Sequence, residues 1–118
     1  MTRIKKLSID NVIIMGGGRW ARVITEVLSD ILDPLVNISI YSPSNHLYMN
    51  EWIVKNKVAQ QIKVITNFPN SFDTPCLVIV ANATRDHYKS ALIAIRAGAD
   101  VLVEKPVVAL LNEQLLIQ

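Results

Sequence analysis

The stretch VIIMGGGRWARVITEVL, Val12 to Leu28, holds an apolar run, three consecutive glycines and then an apolar pattern of a different period. The chain has four glycines, and three of them stand here. The run NVIIM (Asn11–Met15) is short, β-branched and closed by glycine, as a buried strand would be. Beyond the glycines, Trp20, Val23, Ile24, Val27, Leu28, Ile31 and Leu32 recur at the spacing of an amphipathic helix with one broad apolar face. Trp20 lies on that face and is expected to pack in the core. Asp33-Pro34 ends the helix, because proline cannot continue it and disfavours helical geometry in the residue before.

The same alternation continues along the chain. LVNISIY (Leu35–Tyr41) reads as a second strand, bounded by SPSN. A less regular helix is expected from about Asn45 to Val58, then a third strand, IKVITNF (Ile62–Phe68). PNSFDTP is a loop with two prolines. CLVIVA (Cys76–Ala81) is a continuous apolar run, expected of a central parallel strand covered on both faces. Thr84 is a candidate N-cap for a helix with His87 one turn in and a stripe of Tyr88, Ala91, Leu92 and Ile95. Ala97-Gly98 closes that helix with glycine in the left-handed position. DVLVEKP (Asp100–Pro106) is a fifth strand. Strands alternating with helices build a parallel sheet from right-handed βαβ units. The fold class is therefore α/β, a Rossmann-like doubly wound parallel sheet in the order 3-2-1-4-5. One domain spans residues 1–118, without repeat or internal linker. The tail LLNEQLLIQ reads as a helix cut off at Gln118, so a fragment of a longer protein is expected.

Composition narrows the function classes. The 118 residues are 51% hydrophobic and 19% charged, so a packed core is expected rather than disorder. Twelve basic against ten acidic residues leave a net charge of +2. No basic stripe is interleaved with aromatics, which speaks against nucleic acid as a partner. The single cysteine, Cys76, excludes an internal disulfide and reads as a small buried hydrophobe. Ser8, Asp10 and Asn11 interrupt what would be the apolar segment of a signal peptide behind Arg3, Lys5 and Lys6. No apolar run approaches the ~18 residues of a membrane span. A cytoplasmic protein without membrane association is expected. Two histidines and one cysteine at scattered positions make no metal site.

Gly16, Gly18 and Ala21 fit G-x-G-x-x-[G/A], and the motif follows a strand and opens a helix, as it must. Gly16 then makes the tight turn, Gly18 lets a pyrophosphate approach the backbone, and Ala21 lets helix and strand pack closely. Gly17 is the unconstrained residue between them. The helix N-terminus offers N–H groups and partial positive charge to phosphates. The plainer alternative is a tight turn with no ligand. No Gly-Lys-Ser/Thr follows, so a P-loop is not supported. Arg19 points either at phosphate or into water. An NAD site commonly places an acid about 20 residues past the glycines, for the ribose hydroxyls. That place holds Tyr41 and Ser42, and no carboxylate appears before Glu51. Ser42, Ser44, Asn45 and His46 could donate to a 2′-phosphate, which favours NADP over NAD, although no arginine stands there. The same residues also suit an ordinary turn and helix cap.

The second half adds VIVANATRDHYKSALIAIRAGADVLVEKPV, Val78 to Val107. It runs from an apolar strand through Ala83, Thr84 and His87, an alanine-rich helix and Ala97-Gly98 to Glu104-Lys105-Pro106. Together with the glycine turn, it resembles the glucose–fructose oxidoreductase / inositol dehydrogenase / MocA family over roughly Val12 to Leu116. The resemblance implies the N-terminal Rossmann domain of an NAD(P)-dependent oxidoreductase, moving hydride to or from a sugar, polyol or similar small substrate. It implies that Lys105 is the catalytic residue, near the nicotinamide and the substrate oxygen. Elementary chemistry agrees. Ligands of open α/β sheets bind past the carboxyl ends of the strands, and an ammonium there can stabilise an alkoxide or polarise a carbonyl. Glu104 would place or charge-balance the lysine. Asn82 and Thr84 close the fourth strand at the same edge and would line the nicotinamide side. His87 would contact the cofactor, or else cap or pack the helix. The expected cofactor-binding set is thus Gly16, Gly18, Arg19, Trp20, Ser42, Ser44, Asn82, Thr84, His87 and Glu104. Full members of the family carry a second domain that holds the substrate and the general acid/base. The resemblance therefore implies a chain that binds NADP or NAD but turns over little alone, with substrate binding and self-association belonging to the whole enzyme. Two alternatives stand beside this one. A non-catalytic nucleotide-binding or interaction module would keep the same fold. A methyltransferase would want an acid where YSPS stands, and Glu-Lys-Pro also argues against it.

Overall fold

A computed structural model of the chain describes residues 9–56, 62–82 and 86–103. The elements follow in the order β1 (Asn11–Met15), α1 (Arg19–Ile31), β2 (Asn37–Tyr41), α2 (His46–Asn56), β3 (Ile62–Ile65), β4 (Cys76–Val80), α3 (His87–Arg96) and β5 (Asp100–Val103). Each pairing is parallel, and the order across the sheet is β3-β2-β1-β4-β5. This is the Rossmann-like α/β architecture that the alternating periods predict. The order reverses between β1 and β4, so right-handed crossovers put α1 and α2 on one face and α3 on the other.

Alternate strand residues serve opposite faces. Val12, Ile14, Ile38, Ile40 and Ile79 form one core layer with Ala21 of α1 and Met49 of α2. Ile13, Met15, Val78 and Val80 form the other with Ala94 of α3. The central strands β1 and β4 are covered on both faces, which explains their unbroken apolar runs. The connection from β3 to β4 contains no helix, and aromatic rings cover the second face instead. Phe68 stands edge-on to Tyr41 at 5.4 Å and to Phe72 at 6.0 Å. Both phenylalanines pack against the α3-side layer.

Several boundaries differ from the sequence-based ones. β2 starts at Asn37, since Asp33 organises the preceding turn: its carboxylate accepts from the Leu35 N–H at 2.8 Å and its carbonyl from Val36 at 2.9 Å. β3 stops at Ile65, whose carbonyl takes the Ser42 N–H at 3.1 Å, and Phe68 turns to its aromatic stack. The α-helical span of α3 begins at His87, directly after Asp86 in 3-10 geometry. Thr84 as a cap, the end of the second helix near Val58, and the Glu-Lys-Pro extension of β5 all lie outside the described residues. The C-terminal glycine of α3 is where it was expected. Gly98 has φ +93°, its N–H reaches Ile95 O at 3.0 Å, and the Ala99 N–H reaches Ala94 O at 3.1 Å.

The broad apolar face of α1 divides in two. Ala21 and Thr25 are buried, and Ile24, Leu28 and Leu32 pack on the sheet. Trp20, by contrast, is 47% exposed, and Val27 and Ile31 are exposed with it. These three share a flank beside the buried strip, and the sheet reaches only the strip. The expectation that Trp20 packs in the core is therefore corrected. The buried Thr25 hydroxyl is satisfied by Ala21 O at 2.7 Å. Across the helix, the Arg22 guanidinium lies 5.1 Å above the Tyr48 ring of α2. Among the described residues, no helix is long and apolar enough to cross a membrane.

Cys76 is buried as expected. Burial, and secondarily the Asp100 carboxylate, pushes its thiol from 9.0 to about 11. Between those values the unfolded chain releases a proton that the folded chain retains. Stability therefore falls as pH rises from about 9 to about 11. Thiol labelling near pH 8, followed by mass spectrometry across a urea titration, is expected to be negligible in the native baseline and to rise with unfolding.

Candidate functional site

β1 and β4 end side by side where the strand order reverses, the place where open α/β sheets take ligands. Three glycines leave β1 there, and each has a different surrounding. Gly16 adopts φ +147°, a conformation suited to glycine. A Cβ on it would stand 2.9 Å from Ala81 O and 3.2 Å from Asn82 N, so its bareness lets the β1 turn lie against the exit of β4. Its N–H also donates to Tyr41 O at 3.0 Å. A Cβ on Gly17 would overlap Ser42 Oγ and stand 3.0 Å from Asn45 Cβ. The Asn45 side-chain amide donates to Gly17 O at 2.6 Å. Gly17 is thus not unconstrained, because the β2–α2 turn docks on it.

Among the described residues, none outside its own chain neighbours comes within 4 Å of a Cβ position on Gly18. Its backbone, at φ −102° and ψ −167°, is extended. It is the N-cap of α1, makes no side-chain cap, and no acidic side chain follows in the first turn. Open space before a helix N-terminus that the chain's own carboxylates do not neutralise fits a phosphate group. Arg19 and Trp20, the first two residues of α1, are exposed beside this opening.

The end of β2 does not present its polar residues together. Ser42 is only 3% exposed and faces Gly17. The Asn45 amide is spent on Gly17 O, and His46 Nδ1 lies 3.3 Å from Pro43 O. Ser44 is the exposed serine of the pair. Nothing in the spacing separates the two serines; the docking of the turn on Gly17 does.

At the exit of β4, Asn82 O accepts from His87 Nε2 at 2.8 Å, and the Asn82 amide donates to Ser90 Oγ at 2.6 Å. His87 and Ser90 are buried. His87 therefore reaches back to the strand exit, and its Nε2 carries the proton in that bond. Ser90 is an addition to the residues read from sequence. Its only signal was its place three residues after His87, on the same helix face. Thr84, Glu104 and Lys105 lie outside the described residues.

A parallel sheet in this order, with a glycine turn and a bare helix N-terminus at the reversal, is a Rossmann domain of the dinucleotide-binding type. The chain belongs to the Gfo/Idh/MocA oxidoreductase family, with its NAD-binding Rossmann fold, whose profile matches residues 11–115. Among solved structures it is similar to yvaA of Bacillus subtilis, classed as an oxidoreductase. The identity is 25% over 94% of this chain and 31% of that one, with a TM-score of 0.69. Two structures of the UDP-N-acetylglucosamine 3-dehydrogenase GnnA from Acidithiobacillus ferrooxidans share the fold at 18% and 22% identity. They cover 91% of this chain and 33% of theirs, with TM-scores of 0.63 and 0.60. The chain thus spans about a third of the length of these structures. No curated protein matches the sequence.

Proposed function

We propose that the chain binds a nicotinamide dinucleotide at the β1–β4 reversal, as the cofactor-binding part of an enzyme that moves hydride to or from a sugar, polyol or similar small substrate. One observation carries it: of three adjacent glycines, Gly18 is the one that faces open space among the described residues, and it does so at the N-terminus of α1. The pyrophosphate rests against Gly18 and the first-turn amides, with Arg19 and Trp20 beside it. Asn82, Thr84 and His87 serve the nicotinamide half. The bound cofactor supplies the hydride chemistry. Lys105, balanced by Glu104, holds positive charge at the reacting substrate oxygen. A sugar-type substrate is supported by the name of the GnnA neighbour, a UDP-sugar dehydrogenase. Substrate turnover and self-association are assigned to the whole enzyme.

NADP is preferred over NAD in this proposal. Its support is the lack of a carboxylate between Tyr41 and Glu51, together with exposed Ser44 at the turn. Ser42, being buried, contributes by holding the turn. Calorimetric titration with NADPH and NADH separately tests both levels. Tighter NADPH binding is expected. Tighter NADH binding overturns the NADP preference, and no binding of either overturns the dinucleotide site.

A further inference from the structure

The Gly17–Gly18 peptide has a glycine on each side. Gly17 is bare because a Cβ would overlap Ser42 Oγ, and Gly18 faces open space among the described residues at the N-terminus of α1. Glycine takes positive and negative φ about equally, so nothing local fixes the plane of a peptide between two of them. A contact from a distant turn does. The Asn45 side-chain amide donates to Gly17 O at 2.6 Å, and since a carbonyl only accepts, the nitrogen end of that amide must face it. Asn45 is itself held in place. It directly precedes α2, and its own carbonyl takes the Met49 N–H at 3.1 Å, as at an N-cap. A trans peptide is planar, with its C=O and N–H on opposite sides. With Gly17 O turned to Asn45, the Gly18 N–H points away from the β2–α2 turn. That N–H meets no acceptor among the described residues, and Gly18 is exposed. Turned over, the same peptide would present a carbonyl oxygen to an approaching phosphate and repel it.

We infer that Asn45 is a positioning residue for the diphosphate: its amide locks the Gly17–Gly18 peptide in the orientation that presents the Gly18 N–H to a phosphate oxygen. The inference rests on the dinucleotide-binding role proposed above. It also reassigns Asn45. By its place in the sequence this residue suits a donor to a 2′-phosphate, but its amide nitrogen is engaged by Gly17 O. Asn45 touches no ligand and acts only through Gly17.

The test uses the full chain, with NADPH, NADH and ADP as probes. Asn45→Ser withdraws the donor from Gly17 O, stays neutral and keeps a good N-cap for α2. In calorimetry it is expected to weaken NADPH and NADH by the same factor, about tenfold, the size of one hydrogen bond to a charged group. The ratio of the two Kd values should stay that of the unsubstituted chain, because both cofactors carry the diphosphate. A loss confined to NADPH makes Asn45 a 2′-phosphate ligand and overturns the inference. Unchanged affinity for both, or a loss that tracks the unfolded fraction in urea melts, overturns it as well. Proton–nitrogen NMR of the unsubstituted chain gives a reading that needs no variant. On adding ADP, the Gly18 amide resonance is expected to move downfield as it donates to a phosphate. A Gly18 resonance that stays in place while ADP binds overturns the inference and leaves the dinucleotide site intact. Failure of the unsubstituted chain to bind any of the three probes overturns the site itself, and the inference with it.

Discussion

Gly18→Ala is expected to leave the fold intact and to remove most of the affinity for NADH or NADPH. The backbone at Gly18, φ −102° and ψ −167°, accommodates alanine without strain, and no described residue beyond its chain neighbours lies within 4 Å of the new methyl. Alanine lowers the entropy of the unfolded chain, worth about 0.4–1 kcal/mol in favour of folding. It is a poorer N-cap than glycine, which offsets much of that gain. The melting temperature should therefore move by no more than about 3 °C. Binding is another matter. The methyl would stand in the gap before the N-terminus of α1, where the pyrophosphate must approach the first-turn amides. Holding the phosphates off those amides should cost about 2–3 kcal/mol, roughly 30- to 150-fold in Kd. Calorimetry and thermal melting on the same sample measure the two effects. Unchanged affinity would remove Gly18 from the site.

Gly16→Ala, two residues earlier, is expected to do the reverse and strike folding first. At φ +147° a side chain is strained whatever the space around it, at about 1–3 kcal/mol. There is also no space, since the Cβ would stand 2.9 Å from Ala81 O, a backbone atom at the exit of β4 that no rotamer change can move. Overpacking of this kind typically adds about 1–3 kcal/mol. A total of roughly 2–6 kcal/mol is a large part of the 5–15 kcal/mol by which ordinary domains are stable. Urea melts should show a much lower midpoint. Any loss of cofactor affinity should track the unfolded fraction. A native-like midpoint would mean that the β1 and β4 exits do not touch as described.

The contrast between these neighbours shows where sequence reasoning stops. The G-x-G-x-x-A spacing singled out Gly16 and Gly18 but treated Gly17 as a spacer. Gly17 is bare because Ser42 and Asn45, on a turn more than twenty residues away, press against it. The same docking turns Ser42 inward and leaves Ser44 exposed, although both read alike as donors for a 2′-phosphate. Trp20 matched the apolar period of α1 and yet lies 47% exposed, because the sheet covers one flank of that stripe and not the other. From sequence His87 reads as a cofactor contact or as a residue that caps or packs its helix, but its grip on Asn82 O, and that of Ser90 on the Asn82 amide, need β4 and α3 side by side.

Element type, strand order and the closure of α3 at Gly98 were all readable beforehand. Each depends on residues within a turn or two of one another, or on the handedness of βαβ crossovers, which is a general property of L-residue chains. The amino-acid sequence alone thus sufficed for a Rossmann-like sheet with a glycine turn at its point of reversal. Only the tertiary structure decided which glycine faces open space, which serine faces inward and which side chains grip the exit of β4. Those are contacts between segments far apart in the chain. Packing geometry settles them, and neither local period nor propensity encodes it.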